Sequence, residues 1–116
     1  MKKICVIFRR GPHEGGREGV DLALLSASFD QQVSVVFCDE GVLHLLPDQQ
    51  PQLIGQRDYL ATLKALPLYD VEIVLACKLS LSDYGMSRTD LAIACQQASA
   101  EEISQLLADS DEVVVF

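Results

Sequence analysis

The chain has 116 residues, 49% of them hydrophobic and 22% charged, a composition typical of one globular domain spanning residues 1–116. Nine basic and seventeen acidic side chains give a formal net charge of −8, which repels polyanions, so direct nucleic-acid binding is not expected. The apolar runs are far shorter than the roughly 20 residues that span a bilayer, and the N-terminus lacks a signal-peptide pattern, so we expect a cytoplasmic protein.

The first half of the chain is predicted to contain two strands, each followed by a helical segment. Lys3–Arg9 is apolar between its charged ends, and a strand of this kind is buried on both faces, as in parallel sheets. The second strand is predicted over Gln32–Cys38 and a short helical turn over Val42–Leu46. Between the strands, a helix is predicted over Arg17–Phe29, with an apolar face formed by Val20, Ala23, Leu24 and Ala27.

The second half continues the alternation of helices and strands. Pro67 is expected to end a helix that begins near Gly55, and Ser99 with Glu102 is a capping box that opens the last helix. The other predicted elements are a strand, a short helix and two strands that flank the last helix, over Val71–Ala76, Leu79–Tyr84, Leu91–Cys95 and Glu112–Phe116. This alternation predicts a three-layer α/β fold, flavodoxin- or Rossmann-like, in which an open sheet of about five mainly parallel strands has helices on both faces.

The glycine-containing loop after the first strand does not fit a nucleotide site. Gly11 and Gly16 have the spacing of a Walker A motif, but Arg17 and Glu18 stand where that motif has Lys and Ser or Thr. A carboxylate there would oppose a phosphate at the helix N-terminus. The loop is interpreted as a turn into the helix, and no cofactor is expected.

The histidines and acidic residues give no metal or triad pattern. His13 is interpreted as a solvated loop residue, and His44 as a packing or interface residue. Asp39 and Glu40 are interpreted as a turn and helix N-cap. The four cysteines have no C-x-x-C spacing and no histidine near them, so a zinc site of recognisable pattern is excluded and no metal is expected.

Cys77 is the candidate for chemistry. It ends the apolar run of the third strand and precedes a short helix, which places the thiol at the carboxyl edge of the sheet, where ligands collect in open α/β folds. A helix N-terminus also stabilises a thiolate, and such a thiol can accept a sulfane sulfur as a persulfide and pass it on. The alternative is a small buried hydrophobic residue, as free cysteines commonly are. Cys38 and Cys95 also fall near strand ends, and Cys5 is expected to be inert in mid-strand.

Three stretches carry a resemblance to a known family. They are Gly16-Arg-Glu-Gly19, Gly41-Val-Leu-His-Leu-Leu-Pro47, and Arg57-Asp-Tyr-Leu-Ala-Thr-Leu-Lys64 running into Leu68-Tyr-Asp70. With these motifs the whole chain resembles the TusC family, the DsrF-like subunits of the sulfur relay that modifies tRNA, within the DsrE/DsrF-like proteins. The resemblance implies a small α/β subunit of a sulfurtransferase complex, a dimer of heterotrimers with paralogous TusB-like and TusD-like subunits.

The resemblance also implies the route of the sulfur. Such a complex takes persulfide sulfur from an upstream sulfurtransferase and passes it to a downstream sulfur carrier protein, and the sulfur becomes the 2-thio group of the wobble uridine in tRNA. The best-established sulfur-carrying cysteine belongs to the TusD-like subunit, at a strand end followed by a short helix and a glycine. Cys77, followed by Gly85, stands at the matching place, but Lys78–Ser82 departs from the small-residue run of that subunit. The resemblance therefore implies a mainly structural or accessory role.

Three interpretations remain open. The first is a structural subunit whose large apolar side chains are covered by partners: Leu43, Leu45, Leu46, Tyr59, Leu68 and Tyr69. The second is a sulfurtransferase proper, with Cys77 as the persulfide acceptor. The third is an unrelated flavodoxin-like module that binds an anion or cofactor through the Gly11–Gly16 loop. Within the resemblance, a DsrF-type role in dissimilatory sulfur oxidation uses the same architecture.

Overall fold

The computed structural model describes residues 2–11, 16–29, 31–45, 63–71, 73–86, 91 and 93–116. Within them, the strands are Lys3–Phe8 (β1), Gln32–Phe37 (β2), Ile73–Cys77 (β3), Gln96–Ala98 (β4) and Glu112–Val115 (β5). The α-helices are Gly16–Ser28 (α1), Lys78–Asp83 (α2) and Ala100–Asp109 (α3), and two 3₁₀ helices cover Asp39–Leu45 and Leu66–Tyr69.

The strands form a parallel sheet in the order β4-β3-β2-β1-β5. Parallel pairing requires a crossover between strands, and α1 and α3 provide crossovers that cover opposite faces of the sheet. The predicted α/β fold, with an open parallel sheet between helical layers, is confirmed. Most predicted elements agree with the structure to within two residues, because continuous apolar runs mark strands that are buried on both faces.

The α1 side of the sheet holds the larger part of the core. There the aromatic rings of Phe8 and Phe37 stack with centroids 5.0 Å apart, and β1 and β2 are in register from Lys3 with Gln32 to these two rings. The two 3₁₀ helices add buried side chains to the same layer, which extends this part of the core. Its fully buried large residues include Phe8, Phe37, Leu45, Leu63, Leu66 and Leu81.

The α3 side is covered more thinly. Cys5, Ile7 and Val36 are buried against α3, whose inward residues Ile103, Leu106 and Leu107 are only half-buried, as the helix has no fully buried residue. Val113 and Val115 pair with Cys5 and Ile7, so they share this face, yet they are 40% and 54% exposed. A single helix therefore leaves part of this face of the sheet open.

Local signals begin the last helix as predicted. The Ser99 hydroxyl accepts a hydrogen bond from the Glu102 backbone N–H at 3.2 Å, and the Glu102 carboxylate accepts one from the Ser99 N–H at 3.1 Å. This reciprocal capping box satisfies two backbone donors at the start of α3.

Three predicted boundaries need correction. The predicted strand Leu91–Cys95 is wrong, because β4 is Gln96–Ala98, a short edge strand that needs no apolar run since its two glutamines are exposed. The predicted turn at Val42–Leu46 begins earlier, at Asp39. Most of the helix predicted from Gly55 lies outside the described residues; Leu63 and Lys64 are helical, and Pro67 lies inside the following 3₁₀ helix. Among the described helices, none is long and apolar enough to cross a membrane.

Candidate functional site

The carboxyl ends of three neighbouring strands meet at one edge of the sheet. Phe37 of β2 lies in register with Ala76 of β3. The residue that follows each of them is a cysteine, Cys38 after Phe37 and Cys77 after Ala76. Side chains alternate along a strand, so both thiols lie on the α3 side, opposite to the buried Phe37 and Ala76. The fold therefore brings two thiols together at the edge where open α/β proteins bind ligands.

Cys77 occupies the position that the sequence predicts for it. It is the last residue of β3 and the N-cap of α2, with an extended backbone and no side-chain capping bond. Its thiol is free, and the residue is half-buried, so it is not sealed in the core. Its role as a sulfur carrier stays a prediction.

Cys38 is the site residue that sequence reasoning underestimated. Its backbone is fixed on both sides, because its N–H donates to the Phe8 carbonyl at 3.0 Å and its carbonyl accepts from the Gly41 N–H at 2.8 Å. Burial raises the pKa of the Cys38 thiol to about 11; the Asp39 carboxylate and Cys77 raise it as well, whereas Arg9 lowers it. Cys38 is therefore a protonated thiol at neutral pH, held in a fixed position.

The segment after Cys38 is tied to the segment after Cys77. Asp39 has a left-handed backbone, with φ of 51°, which is unfavourable for a residue other than glycine. Its N–H donates to the hydroxyl of the buried Ser80 in α2 at 2.9 Å. This hydrogen bond links the two strand ends across 41 residues of sequence, so it keeps the two thiols in a fixed relation.

Gly41 is required by a close approach of two backbones. A Cβ atom at this position would lie 1.7 Å from the Phe8 carbonyl oxygen and 2.4 Å from the Phe8 carbonyl carbon. The first 3₁₀ helix therefore rests directly on the carboxyl end of β1, and only a residue without a side chain fits there.

His44 anchors the same 3₁₀ helix from inside the core. It is fully buried, its Nε2 donates to the Arg10 carbonyl at 2.9 Å, and its ring meets the Phe8 ring edge-on at 5.3 Å. Burial lowers the pKa of His44 to about 4, so the ring is neutral at physiological pH. The predicted packing role is confirmed. The prediction that Leu45 belongs to a partner-covered surface is wrong, because Leu45 is also fully buried in this layer.

A cleft of about 500 Å³ opens beside Asp39 and Glu40, which follow Cys38 in the sequence. The Arg9 Nε donates to the Asp39 carboxylate at 2.8 Å, and both side chains are exposed, so solvent screens this ion pair and it adds little stability. The cleft offers both charge signs, which gives it no preference for an anion; its lining residues are Arg9, Arg10, Asp39, Glu40, Val115 and Phe116.

The other sequence candidates do not join this edge. Cys5 is buried in mid-strand, and burial raises its pKa to about 11. Cys95 precedes β4 and packs on the α1 side, and burial raises its pKa as well. His13 and most of the Gly11–Gly16 loop lie outside the described residues. Within the described part of the chain, no group of three or more His, Cys, Asp or Glu side chains is arranged to hold a metal ion.

Comparison with known proteins identifies the family. The profile of the DsrE/DsrF-like family matches residues 2–116. Two relatives, each called "Protein TusC homolog", come from Vibrio parahaemolyticus and Aliivibrio fischeri; they are 36% and 32% identical to this chain, and both alignments cover all of both chains. The crystal structure of the ychN protein from E. coli shares the fold, with a TM-score of 0.85 and 21% identity over the full length of both chains. These matches confirm the predicted resemblance to TusC proteins, and the chain belongs to the DsrE/DsrF-like family.

Proposed function

We propose that this chain is a subunit of a heteromeric sulfur-relay complex needed for 2-thiolation of the wobble uridine of tRNA, with a mainly structural or accessory role. The observation that carries the proposal is the full-length similarity to proteins called TusC homologs. The proposed partners are paralogous TusB-like and TusD-like subunits, in a dimer of heterotrimers, and a downstream sulfur carrier protein. The proposed location is the cytoplasm.

Exposed apolar side chains support an assembly with partner proteins. Leu68 and Tyr69 are 84% and 52% exposed on the second 3₁₀ helix, and Leu79 is 66% exposed on α2, two residues after Cys77. Soluble proteins rarely leave such groups of large apolar residues exposed without a binding role. A partner docked over α2 would therefore lie next to the thiols.

The charge supports a protein partner rather than direct tRNA binding. The net charge of −8 would repel the phosphate backbone, so contact with tRNA falls to a downstream component. A small carrier protein that presents a thiol has no phosphate backbone and does not face this electrostatic repulsion.

A direct sulfur-carrying role of Cys77 is the second candidate. It is favoured by the half-buried thiol at a strand end directly before α2, beside exposed Leu79. In that case Cys77 accepts the outer sulfur of a donor's persulfide and passes it on to the thiolate of the acceptor protein. A DsrF-type role in dissimilatory sulfur oxidation is a third candidate, since it needs the same sulfur transfer without tRNA.

Analysis of tRNA from the native organism tests these roles. We expect deletion of the gene to abolish 2-thiouridine at the wobble position, because the complex cannot assemble, whereas Cys77→Ser keeps its level within about twofold of wild type. Mass spectrometry of digested tRNA measures the 2-thiouridine content, and Cys95→Ser is the matched control for loss of a half-buried thiol.

The possible outcomes separate the candidates. Unchanged 2-thiouridine after deletion would contradict a role in tRNA thiolation and favour dissimilatory sulfur oxidation. Loss of 2-thiouridine in Cys77→Ser, with normal levels in Cys95→Ser, would contradict the accessory role and assign sulfur carriage to Cys77.

A further inference from the structure

Cys38 is a nucleophilic group that the proposed accessory role does not use. It lies beside Cys77, on the same face and at the same edge of the sheet. Its backbone is held by hydrogen bonds on both sides, and the Asp39–Ser80 hydrogen bond fixes its segment to α2. A backbone segment held this firmly at a strand end is typical of a functional site.

The register of β2 and β3 allows a covalent bond between the two thiols. Cys38 and Cys77 each follow one residue after the register pair Phe37 and Ala76, and neighbouring parallel strands lie about 4.8 Å apart. This separation falls within the range of about 4.4–6.8 Å between Cα atoms joined by a disulfide. Cys77 also acts electrostatically on Cys38, since it is among the groups that raise the pKa of Cys38, after burial and Asp39.

We propose that Cys38 is the resolving thiol for Cys77: when Cys77 carries a sulfane sulfur, Cys38 forms an internal disulfide with it and releases the sulfur as hydrosulfide. The proposal rests on the sulfur-carrying role of Cys77, the second candidate under the proposed function. It assigns a chemical step to a residue pair within this chain.

The step balances without an external oxidant. The Cys38 thiolate attacks the Cys77 Sγ, a new bond forms between the two Sγ atoms, and the bond from Cys77 Sγ to the outer sulfur breaks. The outer sulfur leaves with the bonding electron pair as hydrosulfide, so it is reduced while the two cysteine sulfurs become a disulfide. The proton lost by Cys38 goes to solvent. An outside thiol that reduces the disulfide restores both cysteines.

The environment of Cys38 sets the rate of this step. Only a thiolate attacks, and with a pKa of about 11 roughly one Cys38 in ten thousand is ionised at pH 7. Burial and the Asp39 carboxylate hold the thiolate fraction of Cys38 down, Cys77 adds to this, and Arg9 acts in the opposite direction. A persulfide on Cys77 therefore survives long enough for an outside acceptor, and discharge follows only when no acceptor arrives.

The test follows one sulfur through the purified full-length chain. The reduced protein is treated with inorganic polysulfide under anaerobic conditions, desalted, and incubated at several values from about pH 7 to about pH 9. Released sulfide is trapped with an alkylating bimane, and the protein is analysed by intact mass and by peptide mapping without reductant. The variants are Cys38→Ser and, as the matched control, Cys95→Ser, since Cys95 lies on the other face of the sheet.

Wild type is expected to lose its added mass of about 32 Da, to release one sulfide per chain, and to show a disulfide between Cys38 and Cys77. The rate should rise about tenfold per pH unit over this range, as the thiolate fraction does. Cys38→Ser should keep the adduct on Cys77 at least about ten times longer, and Cys95→Ser should behave as wild type.

Other results overturn the proposal in distinguishable ways. If wild type keeps its adduct as long as Cys38→Ser, if the disulfide joins other cysteines, or if the added sulfur moves to Cys38 without sulfide release, only the resolving step is wrong. If Cys77 in Cys38→Ser takes up no sulfur, both the carrier role and the resolving step are wrong. Neither result bears on assembly with partner subunits, which co-purification measures separately.

Discussion

Replacing Gly41 with alanine is expected to lower the free energy of unfolding by more than about 3 kcal/mol. The new Cβ would lie 1.7 Å from the Phe8 carbonyl oxygen, and this obstacle is backbone, which has no alternative rotamer. Relief requires the first 3₁₀ helix to move off β1, which disturbs the hydrogen bond from the Gly41 N–H to Cys38. Urea denaturation followed by circular dichroism measures the loss.

Gly85→Ala is the matched control for this prediction. Gly85 has a positive φ of 68°, but a Cβ there would meet no atom within 4 Å. The substitution should therefore cost only the backbone penalty of about 1–2 kcal/mol. If Gly41→Ala is no less stable than Gly85→Ala, the close contact between the first 3₁₀ helix and β1 is not present in solution.

Acidification is expected to destabilise the protein through His44. Its pKa is about 4 when folded against about 6.5 for an ordinary histidine, because burial disfavours the charged ring. Between these values the unfolded chain binds a proton that the folded chain does not. The stabilising effect is therefore complete above about pH 6.5, falls as the pH drops, and is lost by about pH 4, a change of about 3 kcal/mol.

A variant isolates this contribution from that of the carboxylates. His44→Gln keeps a side-chain donor for the Arg10 carbonyl but has no group that titrates in this range. Urea unfolding of both proteins between about pH 7 and about pH 4 should show a shallower pH dependence for the variant, whatever its stability at neutral pH. Equal slopes for the two proteins would show that His44 is not held neutral in the core.

The extent to which the sequence predicts the fold depends on the kind of element. Continuous apolar runs located β1 and β2, since buried parallel strands have few other patterns. The same rule failed at β4, where the apolar Leu91 and Ile93 contact the core outside any strand while the exposed glutamines form the edge strand. An apolar run in the sequence indicates which residues are buried. At the edge of a sheet, the buried residues need not be the ones that pair with the neighbouring strand.

The candidate site shows a similar division. The position of Cys77 at a strand end followed from its own neighbours in sequence. The pairing of Cys77 with Cys38 could not be predicted from the neighbouring residues, because it depends on the order and register of β2 and β3. These two strands are joined by a long connection. The left-handed Asp39 and the contact of Gly41 with Phe8 are also tertiary features. In the sequence, the only sign of the pair is that Cys38 and Cys77 each stand at the end of an apolar run.

Purification of the tagged chain from its native cells, with native mass spectrometry of the product, tests the proposed function most directly. We expect recovery with TusB-like and TusD-like chains in equal amounts and a mass equal to two copies of each of the three subunits. Recovery of this chain alone as a stable monomer, with its exposed Leu68 and Leu79 uncovered, would contradict it.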